Sequence, residues 1–413
     1  MPRFKNMPIS AASLETNNGK LKFSTLLAAF NGLPDDQLAV FTHFLQTRGS
    51  KAASSFMSDV KNSVPADVFK FVKDKDIVWD VPFPPKKNPE FTFIDLFAGI
   101  GGMRIAFQEL NGQCVFSSEW DRFAKVTYRE NFGEVPFGDI TKIDADDIPK
   151  HDVLVAGFPC QAFSIAGFKG GFDDTRGTLF FDVARIIKAR RPEAFLLENV
   201  KGLAGHDKRR TLSVILRTLR EDLGYFVPDP QIINARDFGV PQNRERIFIV
   251  GFRNKNSANR FLYPKRLEGA QKTISDIVED SEVSVKYYLS NQLLRTLIKH
   301  RARHEAKGHG FGYEIIPDDG VAHAIVGGGM GRERNLLVDK RLTNFKPITH
   351  IIGTVNKKGI RRMTPLEWAR LQGFPDRFLI PVSDAQAYKQ FGNSVAVPAV
   401  QATGRALLKA LEG

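Results

Sequence analysis

The chain is expected to adopt an α/β fold, a mostly parallel sheet flanked by helices, with a smaller second domain and a helical extension in front. Three observations carry that expectation. From Phe91 onward, β-branched and aromatic runs alternate with stretches of helical period, the signature of strands joined by crossover helices. The strand-like run Phe93-Ile-Asp-Leu-Phe-Ala-Gly-Ile-Gly-Gly102 passes straight into closely spaced glycines and then a helical pattern. Between about Lys255 and Thr354 the alternation fails, and glycines, basic residues and short strands replace it.

Taken in order, residues 1–88 form the extension. The stretches Leu21 to Phe30 and Asp36 to Leu45 are amphipathic with polar breaks between them, which predicts short helices. The Pro-rich link Val81-Pro-Phe-Pro-Pro-Lys-Lys-Asn-Pro89 ends that segment, because each proline disfavours helix in the residue before it. Residues 89–270 with 385–413 are expected to form the main domain. Strands are predicted over Phe91 to Leu96, Cys114 to Ser118, Asp152 to Ala156, Ala194 to Leu197 and Arg246 to Val250, and helices over Met103 to Leu110, Leu179 to Ile187 and Leu212 to Leu219. Residues 271–384, including Gly327-Gly-Gly-Met-Gly-Arg-Glu-Arg334 and the helix Pro365 to Leu371, are expected to form the smaller domain and its hinge. A last helix near Ala396 to Leu411 closes the chain.

Composition narrows the class. Two cysteines, Cys114 and Cys160, among 413 residues exclude a disulfide framework, and with no Cys/His cluster no metal is expected. No run approaches the roughly 20 apolar residues of a membrane span, and nothing resembles a signal peptide, so a cytoplasmic protein is expected. Lys and Arg exceed Asp and Glu by 59 to 46, a net charge of +13, which favours a polyanionic partner.

Several residues converge at the carboxyl ends of the predicted strands, where open parallel sheets bind ligands. The glycine turn after Leu96 would let a nucleotide-like ligand approach the backbone in a Rossmann-like crevice. Glu119, about 20 residues further on, is placed to accept from two ribose hydroxyls. Trp120 offers a face for an adenine, and Asp139 an acceptor for its amine. Cys160 ends the run Asp152-Val-Leu-Val-Ala-Gly-Phe-Pro-Cys160, and Glu198 ends Phe195-Leu-Leu-Glu198, so a thiol and an acid should meet above one crevice. Such a pair suits addition of a nucleophile to an unreactive ring while an acid protonates it. Taken alone, Cys160 reads equally as a small packed side chain, but Pro159 and Gln161 beside it do not suit a core strand. Cys114, inside an apolar strand, is expected to pack. In Gln242-Asn-Arg-Glu-Arg246, Arg244 and Arg246 fall on one side of an extended segment, either to bind a phosphate or ring carbonyl or as an exposed charge run.

From about Phe91 to Leu408 the chain resembles the bacterial cytosine-5 DNA methyltransferases that use S-adenosylmethionine. The resemblance rests on blocks in the family's order: Asp95-Leu-Phe-Ala-Gly-Ile-Gly-Gly102, Glu119-Trp120, Gly157-Phe-Pro-Cys-Gln161, Gly177-Thr-Leu-Phe-Phe-Asp182, Glu198-Asn-Val200, Gln242-Asn-Arg-Glu-Arg246, Arg370-Leu-Gln-Gly-Phe-Pro375 and Tyr388 to Pro398. It implies a Rossmann-like methyltransferase fold and methylation of duplex DNA by a monomer. It further implies that Cys160 attacks C6 of cytosine, Glu198 protonates N3, and Arg246 binds O2 with support from Arg244. Phe97, Ile100, Gly102, Glu119, Trp120, Asp139, Ile140, Gly157, Pro159, Leu179, Asn393 and Ser394 would surround the cofactor. Attack perpendicular to the ring requires the base to leave the stack, and residues 165–176 would be the lid over it, with Ser164 and Arg176 at the DNA.

The insertion resembles the recognition domain of enzymes that methylate within CCGG. Met330 aligns with the position that fills the gap left by a flipped base, though a Met between glycines could equally pack inside the domain. Arg332 and Arg334 are of the type that reads guanine, with phosphate contacts as the alternative. Two other functions compete: a DNA-binding module without catalysis, and a transfer-RNA cytosine methyltransferase. Residues 1–88 lie outside the family's common core, either as a packing or solubility appendage or as a DNA-binding accessory.

Overall fold

The computed structural model describes residues 21–30, 32–159, 179–269, 271–308, 312–327, 332–348 and 350–413. Its centre is a six-stranded sheet made of β1 (Phe91–Leu96), β2 (Gly112–Ser118), β3 (Val153–Gly157), β4 (Ala194–Val200), β5 (Gln231–Asn234) and β6 (Glu245–Phe252), in the spatial order β2-β1-β3-β4-β6-β5. The pairs β1–β2, β1–β3 and β3–β4 are parallel, and β6 runs antiparallel to β4 and β5. The mostly parallel α/β architecture is therefore as expected, with one reversed strand. The parallel strands read as unbroken hydrophobic runs because helices cover both faces. One face buries Phe93, Val155, Leu196 and Phe107, and the other Ile94, Leu154, Leu197 and Phe180.

Local chemistry sets the element ends. The helix Arg122–Phe132 starts where the Asp121 carboxylate accepts from the backbone N–H groups of Phe123 and Ala124, and stops at Gly133 with φ of 66°, a conformation that favours glycine. Predicted strands and helices agree with the observed ones to within a few residues, but Leu212 to Leu219 is not one continuous α-helix. It is an α-helix over Arg210–Arg217 that widens into a π turn over Thr218–Asp222. The basic helix Asn291–Glu305 had no sequence forecast: its apolar stripe is confined to the first two turns, where Leu294 is buried and Leu293 and Leu297 are half-buried beside it, and basic residues fill the rest. The helix Pro365–Leu371 buries Trp368 and Leu371 in the same cluster as Phe93 and Val155. No helix among the described residues is long and apolar enough to cross a membrane.

Among its described residues the extension forms four short helices, Phe23–Ala29, Asp35–Thr47, Ala53–Ser63 and Ala66–Asp74, with Leu21–Lys22 paired to Ile77–Val78. Its core of Phe30, Phe41, Phe44 and Val68 also takes in Val135 of the main domain.

His151, just before β3, is buried with its Nδ1 2.8 Å from the Pro149 carbonyl oxygen, and burial pulls its pKa down to about 4. A neutral imidazole is thus favoured by folding. Between pH 6.5 and 4 the unfolded chain binds the extra proton, so the stability owed to neutral His151 is complete above pH 6.5 and lost as pH falls. Relative to His151→Asn, which cannot titrate, the wild type should lose about 3 kcal/mol of unfolding free energy between pH 7 and 4. Parallel pH curves in urea melts would contradict this.

Candidate active site

A cavity of about 680 Å³ opens at the carboxyl ends of β1, β2, β3 and β4, where an open parallel sheet is expected to bind a ligand. The turn after β1 builds one wall. Gly99 and Gly101 adopt φ of 56° and 85°, and Phe97 holds φ of 56° without being glycine, a strain that collects at functional sites. A Cβ on Gly102 would lie 2.8 Å from the Ser394 Oγ, so glycine there lets the helix Gly102–Glu109 approach the segment that precedes Val397–Leu411.

Glu119 stands at the next strand end. Its Oε2 accepts from the Gly99 backbone N–H at 2.7 Å and its Oε1 from that of Asp121 at 2.7 Å, which fixes the carboxyl group while leaving lone pairs toward the cavity. Burial raises its pKa, against these two hydrogen bonds. Trp120 lines the cavity and is 82% exposed, an open aromatic face. Asp139, Ile140, Leu179, Asn393 and Ser394 line the same space, as do Phe97, Ile100, Gly157 and Pro159. This set fits an adenosine-type cofactor: a fixed acid for vicinal hydroxyls, a free aromatic face beside it, and a glycine turn at the helix start.

Another part of the cavity lies where β3 and β4 run side by side. Gly157 is the register partner of Glu198, and a Cβ on Gly157 would be 3.6 Å from the Glu198 Oε2. Cys160 follows three residues beyond Gly157 but lies outside the described residues, together with Ser164, Arg176, the lid 165–176 and Met330. Glu198 is buried, which pushes its pKa up, while Arg246 and Arg244 pull it back. The Arg246 Nε is 3.1 Å from the Glu198 Oε1.

Arg244 and Arg246 are not equivalent, and neither is an exposed charge run. Arg244 is buried and donates to the carbonyl oxygens of Ile325 at 2.7 Å, Gly392 at 3.2 Å and Ser394 at 2.5 Å. It ties three distant segments together, while Arg246 keeps its charge beside Glu198. Sequence reasoning missed Asn199, whose Nδ2 donates to the Phe158 carbonyl oxygen at 2.9 Å and so fixes the chain two residues before Cys160. Its place beside Glu198 in the Glu-Asn-Val block was the signal available. Also missed was Asp95, a buried cavity-lining acid raised to about 8, chiefly by burial. Arg334 is exposed at the end of a short 3-10 turn over Arg332–Arg334.

Comparison with known proteins bears on the same region. The family model "C-5 cytosine-specific DNA methylase" matches residues 91–409. The "Type II methyltransferase M.HpaII" of Haemophilus parainfluenzae is 65% identical over 335 residues, which is 80% of this chain and 93% of that protein. The "Type II methyltransferase M.SsoII" of Shigella sonnei is 48% identical over 80% of this chain and 83% of its own. The solved structure of the S. pombe Dnmt2 methyltransferase superposes with a TM-score of 0.59 at 20% identity, covering 78% of this chain and all of the other, a likeness of fold.

Proposed function

Because the chain belongs to the C-5 cytosine-specific DNA methylases, we propose that its cavity holds S-adenosylmethionine and that Cys160, Glu198 and Arg246 carry the chemistry on a flipped cytosine. The protein is a DNA (cytosine-5)-methyltransferase of the type II restriction-modification class. What supports the residue assignment is the meeting of the β3 exit with a buried Glu198 held 3.1 Å from Arg246.

When bound, S-adenosylmethionine supplies an electrophilic methyl group. Glu119 and Trp120 would hold the ribose and adenine, Asp139 would accept from the adenine amine, and Ile140, Asn393 and Ser394 would complete the walls around the cofactor. Carbon 5 of cytosine is a poor nucleophile until a group adds to C6. The Cys160 thiolate forms a bond to C6 while Glu198, whose acid form is favoured by burial, places its proton on N3, so the ring's electrons collect at C5. Arg246 holds O2 and offsets the charge that develops there. Once C5 carries the methyl group, N3 gives its proton back to Glu198, a base removes the C5 proton, and the electrons of that C–H bond form the C5–C6 double bond as the C6–S bond breaks, which returns the thiolate. Arg244 takes no part in bond changes; it fixes the wall on which these groups stand.

Residues 271–384 form the recognition unit in this reading, with CCGG as the site and its inner cytosine as the target. Arg332 and Arg334 face guanine edges, and Met330 fills the gap in the stack. The enzyme works in the cytoplasm as a monomer. Methyl transfer to duplex DNA should far exceed transfer to transfer RNA, and bisulfite sequencing of plasmid from expressing cells should show conversion blocked at one cytosine of CCGG. Arg334→Ala should relax that specificity at a cost of about 1–3 kcal/mol of discrimination per guanine. An even loss of activity on every site would make Arg334 a phosphate contact, and methylation at another motif would refute CCGG.

A further inference from the structure

Residues 1–90 lie outside the stretch matched to the family, yet part of this extension is built into the main domain directly behind the cavity. Strand β2 is the sheet's edge, and an edge strand leaves backbone N–H groups to be satisfied. At Ser117 that partner comes from the extension: the Ser117 N–H donates to the His43 Nε2 at 3.0 Å, while the His43 Nδ1 sits 2.8 Å from the Ala39 carbonyl oxygen. A backbone N–H can only donate, so Nε2 accepts and Nδ1 carries the proton. Ser117 is one residue from Ser118 and two from Glu119, both of which line the cavity.

Gln46 of the same helix and Phe56 of the next also reach the main domain. Arg104, buried in the helix that starts at Gly102, donates to the Gln46 Oε1 at 3.0 Å and to the Glu134 Oε1 at 2.7 Å. That carboxylate oxygen also accepts from the Ser117 Oγ at 2.7 Å. The Phe137 ring lies 4.7 Å from the His43 ring and 6.1 Å from the Phe56 ring, centroid to centroid, and Gly138 and Asp139 of the cavity follow it directly. The backbone N–H of Glu119 in turn donates to the Phe137 carbonyl oxygen at 2.8 Å. The extension therefore braces the glycine-turn helix, the Glu119 strand end and the Asp139 loop at once.

We propose that residues 21–80 are a positioning element of the cofactor site, with His43 as its central residue, rather than a DNA-binding accessory. This rests on the assignment of the cavity to S-adenosylmethionine. The extension touches no cofactor itself; it holds three segments that do, so its loss acts on cofactor affinity.

The test is calorimetric titration of the full-length protein with S-adenosylmethionine, beside titration with duplex DNA and steady-state kinetics. His43→Leu removes the acceptor for the Ser117 N–H, and should raise the cofactor Kd and KM by about five- to tenfold. The kcat at saturating cofactor and the DNA Kd should stay near wild type. His43→Gln, whose carbonyl oxygen can accept again, should recover most of the affinity, which general destabilisation would not produce. Phe56→Leu thins the support behind Phe137 without leaving a polar group unpaired, and should weaken the cofactor in the same direction if His43→Leu fails to fold. Unchanged cofactor affinity in folded variants, or a loss confined to DNA binding, would overturn the proposal. Absence of cofactor binding by the wild type would instead overturn the cavity assignment and the proposal with it.

Discussion

Cys160→Ala should abolish methyl transfer, lowering the rate below detection, while binding to duplex DNA persists. The two outcomes separate because they draw on different forces. Transfer requires a bond from sulfur to C6, for which alanine has no atom to offer. DNA affinity comes largely from neutralised phosphates, and the chain's charge of +13 is untouched by the substitution. Rates of radiolabelled methyl incorporation and gel-shift affinities measure the two directly. Turnover retained in the alanine variant would remove Cys160 from the mechanism.

Glu198→Gln should slow transfer by about a hundredfold or more, the range that general acid catalysis supplies. The amide keeps the shape of the side chain, and its oxygen can still accept from Arg246, whose Nε now lies 3.1 Å from the carboxylate. What it lacks is a proton for N3. Burial holds the Glu198 pKa above the ordinary carboxylate range. The acid form needed for catalysis therefore survives to a higher pH than in an exposed Glu and is lost as pH rises through that raised value. The wild-type rate should fall with pH on that limb, whereas the Gln variant should show no such limb. Cofactor affinity should barely change; its collapse would place Glu198 in the cofactor site instead.

Much of this could be read from the chain because parallel strands put their carboxyl ends on one edge. Once β1, β2, β3 and β4 are recognised from their hydrophobic runs, Gly99, Glu119, Pro159 and Glu198 must gather there, and they do line one cavity. Partners far apart in sequence leave no such trace. Arg244 and Arg246 look alike two residues apart, but Gln242–Asn243 leaves the main sheet to pair with Ala322–His323, and Arg244 is turned onto carbonyls of residues 325, 392 and 394. The role of His43 was equally hidden, since its acceptor function depends on a strand edge 74 residues away. Helix Asn291–Glu305 was overlooked for a third reason, since its apolar stripe of Leu293, Leu294 and Leu297 is short and the basic residues after it break the pattern.

The central claim, covalent attack by Cys160 on cytosine, is tested most directly by trapping. Duplex DNA with 5-fluorocytosine at the target position, incubated with the enzyme and S-adenosylmethionine, should give a stable protein–DNA adduct, because fluorine cannot leave C5 as a proton does. Mass spectrometry should map the link to the peptide containing Cys160 and find the base methylated. Complete turnover without an adduct, or an adduct on any other residue, would contradict the account.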